Sequence, residues 1–271
     1  MNNVFNIRRF SNYFMYDLRN AKNSYGLSMV VVGLIPVIMF AFSQTMVWIM
    51  GAENVDVSYG VAFRIMSMVL ATTIVMLTSP VKMYGRITER RYGSDWILVP
   101  ASAFEKWLSM VLVTILVVPV VMVVFLLVSD TFLSLVFPAR YGENIFSALN
   151  GINLFAFEVV PSELSINLVY PFIISWVSSS LVFTLGAVCF KRAKVAKTIL
   201  ICMVIGVFFS LFFSASVMDE DSLVLVLEDI CDYDSPEQVV RVVNNWINII
   251  SFSQIVLVMA GLFYRLKTIK H

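Results

Sequence analysis

Residues 107–128 read WLSMVLVTILVVPVVMVVFLLV, a stretch without one ionisable side chain. A bilayer's hydrocarbon core is about 30 Å thick and needs about 20 apolar residues to cross it as a helix. The run is unbroken and does not alternate apolar with polar residues, which argues for a spanning helix over a barrel strand. Working outward, five further stretches repeat the pattern: 27–49, 61–79, 167–190, 198–218 and 246–266. The expectation is an all-α integral membrane protein with six transmembrane helices. The totals agree: of 271 residues, 59% are hydrophobic and only 14% charged, with a mean hydropathy of +0.86. Soluble domains are about 25% charged.

Orientation follows from the basic residues, since loops kept in the cytoplasm carry the excess of Lys and Arg. Arg8, Arg9, Arg19 and Lys22 precede the first span; Lys82, Arg86, Arg90, Arg91 and Lys106 lie between the second and third. Lys191, Arg192, Lys194 and Lys197 join the fourth to the fifth, and Arg265, Lys267 and Lys270 end the chain. Of the 19 Lys and Arg, these leave only Arg64, Arg140 and Arg241 for the opposite face. Both termini are therefore expected in the cytoplasm, and the acidic segment from Asp219 to Glu237 outside. An odd number of spans would put the tail lysines beside that acidic segment. The net charge of +1 leaves no electrostatic footprint for nucleic acid.

The chain divides into an amphipathic interfacial segment (1–26), a membrane domain (27–266) and a short cytoplasmic tail (267–271). In the first, Phe5, Ile7, Phe10, Phe14 and Leu18 alternate with Arg8, Arg9, Arg19 and Lys22 at helical spacing, which suits a helix lying in the membrane interface. The segment lacks the apolar core and cleavage site of a secretory signal, so it is expected to be retained. Ser235-Pro236-Glu237-Gln238 has the form of a helix start, and a short helix is expected to lead into the sixth span. Pro36, Pro119 and Pro171 are candidate kinks. Ser178, Ser179 and Ser180 suit close helix approach or bonds to backbone carbonyls. Arg64, a few residues inside the outer end of the second span, is expected to snorkel to the headgroups.

The connection PVKMYGRITERRYGSDWILVPASAFEKWLS, residues 80–109, carries the most information. Pro80 marks the end of the second span, and Gly85 and Gly93 permit tight turns. Arg86, Glu89, Arg90 and Arg91 fit one basic helical turn, and Trp96, Ile97 and Leu98 form an apolar element able to dock on another surface. Ser102 and Glu105 make an S-x-x-E capping box directly before the third span. On residues alone, the same connection also suits basic side chains facing lipid phosphates with Trp96 in the interfacial aromatic belt.

Taken in order, Glu89, Arg90, Gly93, Ser94, Leu98, Pro100, Ser102, Glu105 and Lys106 resemble the corresponding connection in permease subunits of ATP-binding-cassette exporters of the type-2 class. The match covers about twenty residues, with Val99 where the family often has Leu. The interfacial helix, six spans and cytoplasmic termini extend it to the architecture. The resemblance implies a permease that works as a homodimer or with a paired permease in the plasma membrane, such as a bacterial inner membrane. It further implies a separate ATPase docked on Arg86, Glu89, Arg90, Arg91, Trp96, Glu105 and Lys106, beside the amino-terminal helix. ATP would be handled by that partner, because the chain has no G-x-x-x-x-G-K-[ST] phosphate loop. No cofactor or metal is expected on this chain, and no catalytic residue. The single histidine, His271, cannot furnish the H-E-x-x-H pair of a membrane metalloprotease, nor serve a mid-span serine nucleophile. The alternative from another class is a non-transporting membrane protein that anchors or assembles a partner complex through the same connection.

Overall fold

The computed structural model describes residues 5–51, 61–89, 93–148, 157–159, 164–166, 169–217 and 236–269. These residues are helical apart from turns and one three-residue antiparallel hairpin, in which Phe157 faces Ile166. Two helices open the chain, α1 (Ile7–Gly33) and α2 (Ile35–Ile49), followed by α3 (Val61–Tyr84). A 3-10 turn (Gly85–Thr88) and α4 (Gly93–Leu98) lead to α5 (Ala103–Leu112). A π turn (Val113–Val117) joins α5 to α6 (Val118–Val136), and two single turns follow, α7 (Pro138–Tyr141) and α8 (Ile145–Ala148). The chain then runs through α9 (Val169–Cys189), α10 (Lys194–Val217) and α11 (Pro236–Thr268).

Among the described residues, five stretches are long and apolar enough to cross a membrane: Ile7–Ile49, Phe63–Thr88, Ala103–Val136, Lys194–Leu211 and Asn248–Thr268. A shorter apolar helix, Ile173–Cys189, lies where the fourth span is expected. Exposure supports a lipid setting: Leu200, Ile201, Met203 and Ile205 of α10 project in several directions and are all exposed. A helix apolar all round is stable only where its surroundings are apolar too. The fold is that of an all-α membrane protein.

Several local expectations change. The interfacial segment and first span are not separated near residue 26; α1 runs unbroken to Gly33, and the break falls at Leu34. Pro36 explains its place: it has no N–H to give to Val32 and its ring crowds that carbonyl, so it sits in the first turn of α2 instead. Pro80 does not end its helix, since α3 continues to Tyr84. Proline is tolerated inside spanning helices, and Pro80 stands within one. The π turn stands just before Pro119, where the Val118 N–H reaches back five residues to the Val113 carbonyl. The widened turn relieves the crowding that Pro119 brings to the preceding turn. Residue Pro236 does open a helix, yet that helix runs without interruption to Thr268, with no separate short element.

The principal core forms where α1, α3, α5, α6, α9 and α11 meet, around Ala71, Val75, Met110, Val113, Met122, Leu181 and Leu262. Lipid is as apolar as these side chains, so close packing holds the helices together more than any hydrophobic drive. Small residues set the closest approaches. A Cβ built on Gly186 of α9 would stand 3.0 Å from Thr198 Cβ on α10, and closer still to the Thr198 hydroxyl.

Candidate coupling surface and the two polar clusters

The connection between α3 and α5 is held to the bundle by polar contacts on three sides. The first centres on Glu105, whose side chain is fully buried. Its Oε1 accepts from the Asn6 N–H at 3.0 Å and from Arg9 Nη2 at 2.7 Å. Its Oε2 accepts from Arg9 Nε at 2.7 Å and from the Ser102 N–H at 2.9 Å. Ser102 Oγ in turn accepts from the Glu105 N–H at 3.2 Å, completing the expected capping box. One carboxylate thus caps α5 and binds the start of α1 through a two-pronged guanidinium contact, the strongest geometry open to an Arg.

Asn6 opens α1, its side chain accepting from the N–H groups of Arg8 and Arg9. Two turns beyond Arg9, buried Asp17 accepts from Tyr84 Oη at 3.1 Å and Ser109 Oγ at 2.6 Å, tying α1 to both α3 and α5. The second side is α10. Lys194 Nζ donates to the Gly85 carbonyl and to Thr88 Oγ1 at 2.9 Å, and lies 4.0 Å from Glu89 Oε1. Thr88 Oγ1 also donates to the Phe190 carbonyl. Gly85 opens the 3-10 turn, as the expectation of a tight turn there requires, without taking up the left-handed backbone that glycine permits. Gly85 instead makes room: a Cβ on it would sit 3.1 Å from Lys194 Nζ.

The third side is α5 itself. Lys106 is buried, its Nζ donating to the Trp96 carbonyl at 2.6 Å and lying 4.5 Å from the Trp96 ring centre. Trp107 Nε1 donates to the Met259 carbonyl of α11 at 3.2 Å.

These contacts sort the expected coupling residues. Glu105, Lys106 and half-buried Trp96 face inward and shape the connection, whereas Arg86, Glu89 and Leu98 lie on its exposed side. The expected helical turn over Arg86, Glu89, Arg90 and Arg91 is a 3-10 turn that ends at Thr88, with Glu89 already extended. Arg90 and Arg91 fall outside the described residues. Of the four interface residues, Arg8, Arg19 and Lys22 are exposed, but Arg9 is the partner of Glu105. Between the polar face of α1 and Val99, Pro100 and Ala101 lies a groove of about 580 Å³, lined also by Arg8, Asn12 and Tyr16.

At the opposite end of the bundle a second cluster overturns the expectation for Arg64. The side chain does not reach for headgroups; it is 2% exposed and paired with Asp130 at 2.7 Å. Arg64 Nη1 also donates to the Glu143 carbonyl at 2.8 Å, and the guanidinium lies 4.3 Å from the Tyr141 ring centre. Asp130 accepts further from Tyr141 Oη and the Ile145 N–H, both at 2.7 Å. With three donors on the carboxylate, pairing costs less than sending a buried cation past its counter-charge to the surface, although the Arg64 Nε–H is left without a partner among the described residues. Asp130 escapes a sequence reading that ends the third span at 128, because α6 continues to Val136. Opposite charges at matching depths of two spans were the available signal.

Ser178 and Ser180 are buried in α9, whose Thr184 hydroxyl donates to the Ser180 carbonyl. Cys189 and Cys202 are free thiols, and Cys231 lies outside the described residues. Among the described residues no group of three or more His, Cys, Asp or Glu is placed to hold a metal ion. Comparison with protein-family models, curated proteins and solved structures gives no match.

Proposed function

We propose that this chain is the transmembrane permease subunit of an ATP-driven exporter of the type-2 class, and that the connection over residues 80–106 receives a separate ATPase. The supporting observation is the mounting of that connection. Glu105 ties it to α1, Lys194 ties it to α10 and Trp107 ties it to α11, while Arg86, Glu89 and Leu98 stay exposed. A surface fastened to three helices at once transmits a push to all of them; a loosely tethered loop would absorb it. In this reading the chain crosses the membrane six times, with α9 as the fourth span and both termini in the cytoplasm, and pairs with a second permease in the plasma membrane. The distribution of basic residues supports that orientation.

The test is co-purification of the full chain with a stand-alone ATPase that carries a phosphate loop, comparing wild type with Arg86→Glu/Glu89→Lys. The expected result is loss of the complex and of ATPase stimulation while the permease itself is recovered folded. Unchanged association and unchanged stimulation overturn the docking assignment. Association that never stimulates ATP hydrolysis identifies the chain as an assembly anchor instead.

A further inference from the structure

A groove of about 400 Å³ runs between α1 and the α5–α6 helix, apart from both polar clusters. Its wall is almost wholly apolar, formed by residues such as Tyr25, Met29, Val113, Val117 and Phe125. The one charged side chain on that wall is Lys22, exposed on α1 near the groove's start at Leu18. At the other end Phe125 backs onto Gly33, leaving its Cβ 2.8 Å from where a Cβ on Gly33 would stand. Val113 and Phe125 lie twelve positions apart, about 18 Å along a helix rising about 1.5 Å per residue. One leaflet of a hydrocarbon core about 30 Å thick measures about 15 Å. The groove therefore has the length of one leaflet, with a cation at one end only.

The wall also says what cannot lie there. Tyr25 turns its hydroxyl to Thr78 at 2.7 Å, and Asp17 is occupied by Tyr84 and Ser109. A peptide or a sugar in the groove would leave its own polar groups without partners, which costs several kcal/mol per group in hydrocarbon surroundings. An alkyl chain has none to satisfy. The π turn Val113–Val117 contributes both Val113 and Val117 to the wall, and irregular turns of this kind gather at functional sites. We infer that the groove binds one acyl chain of an anionic phospholipid, with the lipid phosphate at Lys22. This depends on the chain lying in a bilayer and not on the transport reading.

Native mass spectrometry of the full chain in neutral detergent, titrated with dimyristoyl phosphatidylglycerol or dimyristoyl phosphatidylcholine, tests the site. Wild type is expected to bind the anionic lipid about fivefold more tightly, the effect of a single lysine near a lipid surface. Lys22→Gln abolishes the preference by weakening the anionic lipid more than the zwitterionic one, whose phosphate is already offset by its choline. Gly26→Leu fills the groove and weakens both lipids at the tightest site at least tenfold. A Cβ on Gly26 meets only Lys22 Cγ, at an ordinary 3.5 Å, so the backbone there accepts a side chain, and far-UV circular dichroism of the variant checks the fold. A preference that survives Lys22→Gln, or Gly26→Leu binding both lipids as wild type does, overturns the assignment.

Discussion

Replacing Asp130 by Asn keeps the shape of the side chain and removes the charge opposite Arg64. The variant amide must turn its NH2 toward either the Arg64 and Tyr141 donors or the Ile145 N–H, so at least one donor loses its acceptor. The larger loss is electrostatic, because Arg64 and Asp130 are 2% and 1% exposed and no water replaces the missing carboxylate. Removing one partner of a buried pair costs about 3–5 kcal/mol. An ordinary hydrogen bond between membrane helices contributes about 0.6 kcal/mol. The two magnitudes are far enough apart to decide whether the pair acts as an ion pair. Equilibrium unfolding by sodium dodecyl sulfate in mixed micelles, followed by far-UV circular dichroism, measures the difference. The double variant Arg64→Met/Asp130→Leu removes both charges together and is expected to lie much closer to wild type than Asp130→Asn. An Asp130→Asn cost under about 1 kcal/mol, or a double variant as unstable as the single one, refutes the reasoning.

Two further outcomes follow from the packing. Gly186→Ala drives a methyl group into Thr198 and is expected to cost about 1–3 kcal/mol, as overpacking does. Thr198→Ala in the same chain restores part of the loss in the same unfolding assay, and a Gly186→Ala chain as stable as wild type contradicts the close approach of α9 and α10. Glu105→Gln places an amide NH2 among donors, so the Asn6 and Ser102 N–H groups and the Arg9 guanidinium compete for one oxygen. Amide hydrogen exchange over residues 6–10 is expected to speed up while exchange in α6 stays the same; uniform protection in the variant argues against the tie.

The membrane architecture was legible in the sequence because hydrocarbon imposes its demand locally: about 20 apolar residues in a row, read without knowing the neighbours. Capping by Ser102 and Glu105 was equally open to reading, since both partners lie within one turn. The second role of Glu105 was not, because Arg9 is 96 positions away and nothing near either residue names the other. Arg64 and Asp130 fail for the same reason, separated by 66 positions and visible only once α3 and α6 are adjacent. Prolines misled in the other direction. Pro36 and Pro80 obey the same chemistry, yet one stands at a break and the other inside a continuous helix. The proline alone does not decide which.

The π turn before Pro119 places one more residue in the helix than regular winding would hold, an offset of about 100° around its axis. Below it, Glu105 and Ser109 are aimed at α1; above it, Ser129 reaches the Gly33 carbonyl and Asp130 reaches Arg64. The long helix is thus a two-part shaft whose lower half is keyed to α1 and whose upper half is keyed to α1 and α3 at once, with the wide turn as the phase joint between them. Were that single residue taken up by regular winding, either half could keep its appointments only by rotating the other away from its own.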